Sequence, residues 1–400
     1  MPSCQPTWKR LPEMYFDFDC YWRVLRHVWG LKKWPGRRAA LFRLLVISPL
    51  GLFFNTICFL LDYLLFPRLW TQKVYKPVFI VGHARSGTTL IHRLMTADGD
   101  HFSYFLYWET FFPSLLQKKV IRWLGSLDLK LGGHVKRRLV TWDDKTFGPY
   151  RHAHNMSLWN SEEDQFVMKA AFVTQQWALD IPMMDIIDIF HIDRMPVKKR
   201  QWLRHYRECV KRQLLLNGGE KIHLSKNPVM SGWVDGLLQI FPDARIVVLV
   251  RDPKQCIPSV LKLVEMSWMA GRWTPQDYES SLLALTHISF DSFHLPRATL
   301  KQHPWVPHIF VDYRNLTKAP RETTHEVYQA LDLDLSSKFD DYLLSHSEQE
   351  KNHQSRFEYH MSEYDLSDEM IESELADFYI KYNWPRVDVR PTPINLRGTA

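Results

Sequence analysis

Hydrophobic residues along this chain fall into short unbroken runs that alternate with amphipathic stretches. The clearest runs, 78–81 and 244–250, are rich in β-branched residues, as is typical of strands buried on both faces of a sheet. Weaker runs at 102–107, 221–227 and 305–311 predict three more strands. Strands that alternate with helices indicate a parallel sheet, with ligands at the carboxyl ends of the strands.

The intervening stretches predict helices that flank this sheet on both faces. The expected fold class is therefore α/β, a P-loop-like three-layer fold with a central parallel sheet between helices. The main predicted helices cover 114–140, 196–218, 229–240, 256–266, 320–331 and 362–379.

One apolar segment stands apart from this pattern. Residues 44–61 carry no charge and lie between Arg43 and Asp62. As a helix they would extend roughly 27 Å, close to the thickness of a bilayer's hydrocarbon core. Three interpretations stay open: a membrane-spanning helix, an interfacial or re-entrant segment, and a helix packed on the domain itself.

The predicted organisation has three parts: a basic N-terminal segment at 1–43, a membrane-spanning or membrane-associated segment at 44–66, and a catalytic domain at 67–400. Basic residues crowd the N-terminal side of the apolar segment, so a spanning helix would leave the N-terminus in the cytoplasm. The domain would then lie in a Golgi-like lumen, as in a single-pass type II protein. Peripheral attachment to the cytoplasmic face is the alternative.

Charge and cysteine content narrow the class of protein. The net charge is +7 and the pI about 9.0, but residues 1–43 alone hold nine Lys/Arg against three acidic residues. The rest of the chain is therefore nearly neutral, which argues against a nucleic-acid partner. Five cysteines without paired spacing predict neither a disulfide framework nor a metal site, although a pair such as Cys209–Cys256 stays open.

The loop after the first strand carries the candidate chemistry. Gly82 and Gly87 bracket it, and a helical pattern follows, which is the geometry that binds phosphate on backbone N–H groups. Thr88 stands where a nucleoside-triphosphate P-loop has lysine, so the loop suits one terminal phosphate better than a γ-phosphate. The candidate donor-binding residues here are Arg85, Ser86, Gly87, Thr88 and Thr89.

Three charged residues follow other strands. Lys226 and Arg251 each come after a predicted strand, and Glu109 comes shortly after a third. Strand ends of a parallel sheet share one edge, so these side chains are expected around one cleft with the loop. A carboxylate, several cations and an anion-binding loop suit in-line transfer of an anionic group to a hydroxyl.

The R-S-G-T-T loop resembles the 5′-phosphosulfate loop of sulfotransferases that use 3′-phosphoadenosine 5′-phosphosulfate (PAPS). It is closer to the R-S-G-T-T form of the tyrosylprotein and bacterial-type branches than to the K-S-G-T form of the cytosolic branch. Three later segments carry the same resemblance over roughly residues 75–385: S-K-N-P at 225–228, F-P-D-A-R-I-V-V-L-V-R-D-P at 241–253 and Y-R-N-L at 313–316.

This resemblance implies roles for individual residues. Arg251 and Ser259 would bind the 3′-phosphate of PAPS, and Tyr313 would lie near the adenine. Lys226 would contact the bridging oxygen and, together with Arg85, would stabilise the sulfuryl group in transit, with Glu109 as the general base. The cofactor loop of cytosolic members is absent, and Arg356 is the expected substitute. Glu163-Asp164 and Tyr359 match further motifs whose roles stay unassigned.

The predicted function is transfer of a sulfuryl group from PAPS, without a metal, to a hydroxyl of a small-molecule, lipid or glycan acceptor. The alternative is a P-loop-like nucleotide-binding protein, either a kinase or a non-catalytic scaffold. Two observations argue against a kinase: Thr88 stands where a P-loop needs lysine, and no Mg²⁺-binding acid is evident. The sequence leaves the oligomeric state open.

Overall fold

A computed structural model describes residues 14–148, 156–350, 364 and 366–386. Its centre is a five-stranded sheet with the order β2-β3-β1-β4-β5, in which all neighbouring strands are parallel. The strands are β1 (Val78–Gly82), β2 (Phe102–Ser103), β3 (Ile222–Lys226), β4 (Arg245–Val250) and β5 (His308–Asp312).

Helices cover both faces of the sheet. In chain order they are α1 (Phe18–Gly30), α2 (Arg37–Leu65), α3 (Arg68–Thr71), α4 (Thr88–Thr96), α5 (Tyr107–Thr110), α6 (Leu115–Lys130), α7 (His134–Phe147), α8 (Gln176–Asp180), α9 (Pro196–Leu216), α10 (Val234–Ile240), α11 (Pro253–Ala270), α12 (Pro275–Gln302), α13 (Tyr313–Lys318), α14 (Pro320–Ala330), α15 (Ser337–Glu350), α16 (Asp368–Glu374) and α17 (Ala376–Tyr382). Short 3-10 helices are formed by Asp164–Ala171, Ile192–Arg194 and Pro228–Trp233.

Alternate side chains of the central strand β1 enter different layers of the core. Val78 and Ile80 belong to the apolar cluster that includes Ile91 of α4. Phe79 and Val81 belong to the larger cluster, with residues of α9, α10 and α12. All four are fully buried, as expected for a parallel strand covered on both faces. The predicted α/β fold with a central parallel sheet is confirmed.

The structure corrects several predicted boundaries. The strand expected at 102–107 pairs with β3 only over Phe102–Ser103. Leu106 forms an isolated antiparallel bridge with Ser161, and Tyr107 begins a helix. The helix expected at 114–140 is two helices, divided at Gly132 and Gly133, which both take positive φ. The 28-residue helix α12 was not predicted, since Pro296 and several Ser, Thr and His residues interrupt its apolar stripe.

The apolar segment forms most of helix α2, which is continuous from Arg37 to Leu65. It widens to a π-turn at Arg43–Ile47, where the N–H of Ser48 reaches back to the carbonyl of Arg43. Pro49 follows and has no N–H to donate, which accounts for the irregular turn. Within the described residues, α2 is the helix long and apolar enough to cross a membrane, and only 17% of its most apolar 18-residue window is buried.

Candidate active site

The site begins where β1 ends. Gly82 has φ +130°, and a Cβ there would lie 2.2 Å from the carbonyl oxygen of Leu249 on β4. Ser231 fixes this turn by accepting a hydrogen bond from the N–H of Gly82 at 2.8 Å and donating one to its carbonyl at 3.0 Å. The strand thus turns away within one residue, and the following loop lies between the ends of β3 and β4.

The loop runs into α4 through a left-handed turn. Gly87 has φ +95° and caps the helix, and a Cβ on it would lie 2.6 Å from the ring of Tyr313. Ser86 is fully buried and donates from Oγ to the carbonyl of His83 at 2.6 Å. Thr88 and Thr89 form the first turn of α4, where free backbone N–H groups favour an anion.

Arg251 and Ser259 join this loop from the β4 side. Arg251 donates from Nη1 to the carbonyl oxygen of Arg85 at 3.1 Å, and its guanidinium lies 4.4 Å from the centre of the Tyr313 ring. Arg85 donates from Nε to Oγ of Ser259 at 3.3 Å. The structure therefore brings together four of the predicted donor-binding residues, with two guanidinium groups on one side of the loop.

Lys226 closes the site from the β3 side. It is the last residue of β3 and pairs in register with Ile80 of β1, and its side chain is 1% exposed. Its ammonium lies 3.3 Å from Glu162 and 3.1 Å from Glu163. Burial opposes the charge, but Glu163 and Glu162 outweigh it and raise the pKa of Lys226. The lysine is therefore cationic at neutral pH.

The two carboxylates are held by the residue that follows them. Asp164 accepts hydrogen bonds from Tyr206 on α9 and from His223 on β3, the latter at 3.1 Å. All three of these side chains are buried, so Asp164 anchors the loop to the same strand that carries Lys226. The anchor fixes Glu162 and Glu163 beside the ammonium.

Glu109 lies in a different environment from the one predicted. It is fully buried, and Oε1 accepts from Arg122 at 2.6 Å. Oε2 accepts from the N–H of Leu106 at 3.0 Å and from Gln213 at 2.8 Å. These contacts cap α5 and tie it to α6 and α9. The structure shows no hydrogen bond or ion pair between Glu109 and Lys226 among the described residues.

His92 belongs to the site although the sequence analysis did not include it. It is fully buried one turn after Thr88, and its Nδ1 lies 3.5 Å from Oγ of Ser161. Burial, and then the charge of Lys226, hold the pKa of His92 well below its ordinary value, so the imidazole is neutral. Its position four residues after Thr88 on a predicted helix was the sequence signal that could have identified it.

Arg356 and Tyr359 lie outside the described residues.

A separate cavity of about 970 Å³ does not include the predicted residues. It lies against α11 and α12, and Asp188, His191, Glu265 and Asp291 are among its lining side chains. The charged residues of its lining are mainly acidic, which suits an anionic donor poorly. Within the described residues, no group of three His, Cys, Asp or Glu side chains is placed to hold a metal ion.

The sulfotransferase family model matches residues 77–337, which include the loop after β1, Lys226 and Arg251. The chain belongs to the sulfotransferase family.

Curated relatives of this sulfotransferase come from mycobacteria. It is 27% identical over 205 residues to the omega-hydroxy-beta-dihydromenaquinone-9 sulfotransferase Stf3 of Mycobacterium bovis and to that of Mycobacterium tuberculosis. Each match covers 47% of this chain and 45% of the relative, so the chain spans about half the length of the curated relatives it matches.

Solved structures share the fold. The sulfotransferase STF1 from Mycobacterium tuberculosis matches with a TM-score of 0.64 and 18% identity, covering 90% of this chain and 93% of its own. STF9 from Mycobacterium avium matches with a TM-score of 0.62 and 16% identity, covering 94% and 99%. The predicted family and the predicted enzyme class are thereby confirmed.

Proposed function

We propose that this sulfotransferase transfers the sulfuryl group of PAPS to a hydroxyl of a lipid-like acceptor. The observation that carries the proposal is the position of Lys226, a buried ammonium that ends the strand beside β1. The guanidinium groups of Arg85 and Arg251 lie on the other side of the loop. An anionic donor therefore meets positive charge at both ends of its phosphate-bearing part.

The donor would lie along the loop. The 5′-phosphosulfate would accept hydrogen bonds from the N–H groups at the start of α4, with Thr88 and Thr89 supplying hydroxyls. The 3′-phosphate would bind Arg251 and Ser259. The ring of Tyr313 packs against Gly87, where a Cβ would lie 2.6 Å from it. This ring would therefore lie beside a nucleotide bound along the loop.

The reaction is an in-line displacement at sulfur. The acceptor oxygen forms a bond to sulfur while the bond from sulfur to the 5′-phosphate oxygen breaks. The electron pair stays on that phosphate oxygen, which leaves in adenosine 3′,5′-bisphosphate, and the acceptor proton goes to a carboxylate. Lys226 would stabilise the charge that builds on the leaving oxygen.

The base must be a carboxylate that a substrate can reach. Glu109 stays a prediction for this role, but it is fully buried and both its oxygens are engaged. Glu163 contacts Lys226, and its side chain is 24% exposed. We infer that Glu163 takes the proton, since it combines contact with the sulfuryl-binding lysine and access from outside.

The acceptor class rests on two observations. The curated relatives are named as sulfotransferases of omega-hydroxy-beta-dihydromenaquinone-9, a lipid quinone with a hydroxyl group. The 3-10 helix Asp164–Ala171, directly after Glu163, packs against the apolar helix α2 and against α5. A lipid held near α2 would thus approach the carboxylate.

The test is transfer of ³⁵S from labelled PAPS into lipid, glycan and protein fractions of a membrane extract. Label is expected in the lipid fraction, and K226A serves as the inactive control. Label confined to glycan or protein would refute the lipid acceptor but would still support PAPS as the donor. Absence of transfer from PAPS by a protein that binds adenosine 3′,5′-bisphosphate would refute the proposed reaction.

A further inference from the structure

The hairpin formed by α6 and α7 leaves a large apolar surface uncovered by the described residues. Trp123 is 63% exposed and Leu131 is 68% exposed. A helix of a water-soluble domain normally buries its apolar stripe against the core. The exposed apolar side chains of this hairpin are Val120, Trp123, Leu124, Leu127, Leu129, Leu131, Val135, Leu139, Val140 and Trp142.

These side chains are ordered along the helices. Most of those on α6 recur at intervals of three and four residues from Val120 to Leu131, and Val135, Leu139 and Trp142 repeat the spacing on α7. Each helix therefore has one apolar stripe with tryptophan in it. Basic amphipathic helices of this kind are typical of segments that lie in a membrane interface.

The charge of the hairpin points to an anionic surface. The hairpin has seven exposed basic residues and three aspartates. One of these, Asp128, caps α7 by accepting hydrogen bonds from the N–H groups of Val135 and Lys136. Asp143 is buried and accepts from the N–H of Leu158. The exposed basic residues are Lys119, Arg122, Lys130, Lys136, Arg137, Arg138 and Lys145.

The hairpin is joined to helix α2 by hydrogen bonds. Asp62 of α2 accepts hydrogen bonds from Oγ of Ser114 at 2.8 Å and from the N–H groups of Leu115 at 3.0 Å and Leu116 at 2.7 Å. The exposed face of α2 is as apolar as the hairpin: Phe42, Leu45, Val46, Ile47, Leu50, Phe53, Phe54, Ile57, Leu60, Leu64 and Leu65. One bilayer surface could cover both.

Helix α2 is attached to the catalytic domain near both of its ends. At the N-terminal end Leu44 is fully buried, and Arg43 lies 3.5 Å from Asp180. At the C-terminal end Asp62 forms a fully buried ion pair with Arg212 of α9 at 2.7 Å. About 28 Å of helix separates Arg43 from Asp62. A spanning helix of this length would leave its two ends on opposite sides of the hydrocarbon core, which one compact domain cannot contact.

We propose that the outward face of α2 and the apolar stripes of the α6–α7 hairpin form one membrane-binding surface that lies in the interface of an anionic bilayer. Both ends of α2 and the whole catalytic domain are then on the same side. This arrangement replaces the spanning interpretation of 44–61. The approach of a lipid acceptor along α2 rests on the proposed function, whereas the binding surface itself does not.

Vesicle flotation tests the surface. The full-length protein is mixed with vesicles of phosphatidylcholine, with or without phosphatidylglycerol. W123E/L127E/L131E is expected to lower binding by about tenfold or more, since it places charge in the apolar stripe. W305E is the matched control, because Trp305 is 73% exposed and lies outside both elements. An equal loss in both variants, or none in either, would overturn the proposal.

Charge variants distinguish the contribution of anionic lipid headgroups to vesicle binding from the contribution of apolar contacts. K130Q, K136Q and R138Q should each weaken binding to phosphatidylglycerol vesicles by about fivefold, and the effect should shrink with added salt. Binding to phosphatidylcholine alone should stay unchanged. Equal weakening on both kinds of vesicle would contradict an anionic partner.

Cysteine labelling tests the orientation. R38C, at the start of α2, and K73C, beyond its end, are compared in a C4S background, because the described cysteines are buried. In sealed membrane vesicles, an impermeant maleimide should label both positions from the same face. Labelling from opposite faces would restore a spanning helix and with it the type II orientation.

A second copy of the chain is the competing occupant of the surface. Sedimentation velocity without lipid would then show a dimer that W123E/L127E/L131E dissociates, with vesicle binding unchanged. That result would overturn the membrane proposal. None of these measurements uses sulfuryl transfer, so they stand or fall separately from the proposed reaction.

Discussion

Arg85 donates a hydrogen bond from Nε to Oγ of Ser259 at 3.3 Å and so ties the loop after β1 to the helix after β4. Arg251 completes the connection by donating to the carbonyl of Arg85 at 3.1 Å. Neither arginine is held by a carboxylate through any ion pair described among residues 14–148, 156–350, 364 and 366–386. Their charge is therefore available to a phosphate.

The first prediction concerns the 3′-phosphate. R251A and S259A should weaken binding of adenosine 3′,5′-bisphosphate more than binding of adenosine 5′-phosphosulfate, which lacks that phosphate. Each lost charge-assisted hydrogen bond should cost about 1.5–3 kcal/mol. Isothermal titration calorimetry of both nucleotides measures the difference. Equal losses for the two ligands would contradict the assignment.

The second prediction separates the two candidate bases. E163Q should lower kcat by about 10²–10⁴-fold, because it removes a base, while Kd for adenosine 3′,5′-bisphosphate stays nearly constant. E109Q should mainly lower stability, since it weakens the contact with Arg122 inside a buried network. The measurements are kcat, Kd and Tm for each variant. A loss of kcat in E109Q with Tm and Kd unchanged would make Glu109 the base instead.

The third prediction concerns Lys226. K226A should lower kcat strongly, because charge develops on the leaving oxygen as the S–O bond breaks. Its raised pKa means that the lysine stays charged throughout the neutral range. The pH profile of kcat should therefore show no limb from this group in the neutral range. A basic limb near neutral pH that K226R shifts would show that Lys226 titrates there and would refute this view.

The fourth prediction concerns acid stability. Burial lowers the pKa of His83 to about 4 in the folded protein, against an ordinary value of 6.5. The unfolded chain therefore takes up a proton first as the pH falls, and stability present above pH 6.5 is lost between pH 6.5 and 4. The loss from this residue should reach about 3 kcal/mol. Denaturant unfolding between pH 6.5 and 4 should show that the free energy of unfolding falls less steeply with falling pH in H83Q than in the parent protein. Equal slopes in the two proteins would refute the assignment.

The fifth prediction concerns the turn at Gly82. G82A should cost more than about 3 kcal/mol, because its Cβ would meet the carbonyl of Leu249 and its φ of +130° suits glycine alone. G51A is the control, since Gly51 is helical with open space around it and alanine there gains helix propensity. Thermal unfolding of both variants compares them. Similar Tm values would show that the turn tolerates a side chain.

The sequence predicted those parts of the site that depend on strand ends. Buried β-branched runs located β1 and β4, and parallel strands place Lys226 and Arg251 on either side of the loop between them. The environment of Glu109 could not be predicted, because Arg122 and Gln213 come from helices whose packing no local pattern reveals. The orientation of α2 depends likewise on Arg212, which is 150 residues distant from Asp62.

That separation has a consequence for how the protein is made. A ribosome adds about 5–20 residues per second, so roughly 8–30 s pass between synthesis of Asp62 and synthesis of its partner Arg212. During this interval the apolar stretch of α2 has left the ribosome without the domain that will hold it. The buried ion pair cannot form until α9 emerges, so until then the apolar face of α2 is open to a membrane surface or a chaperone.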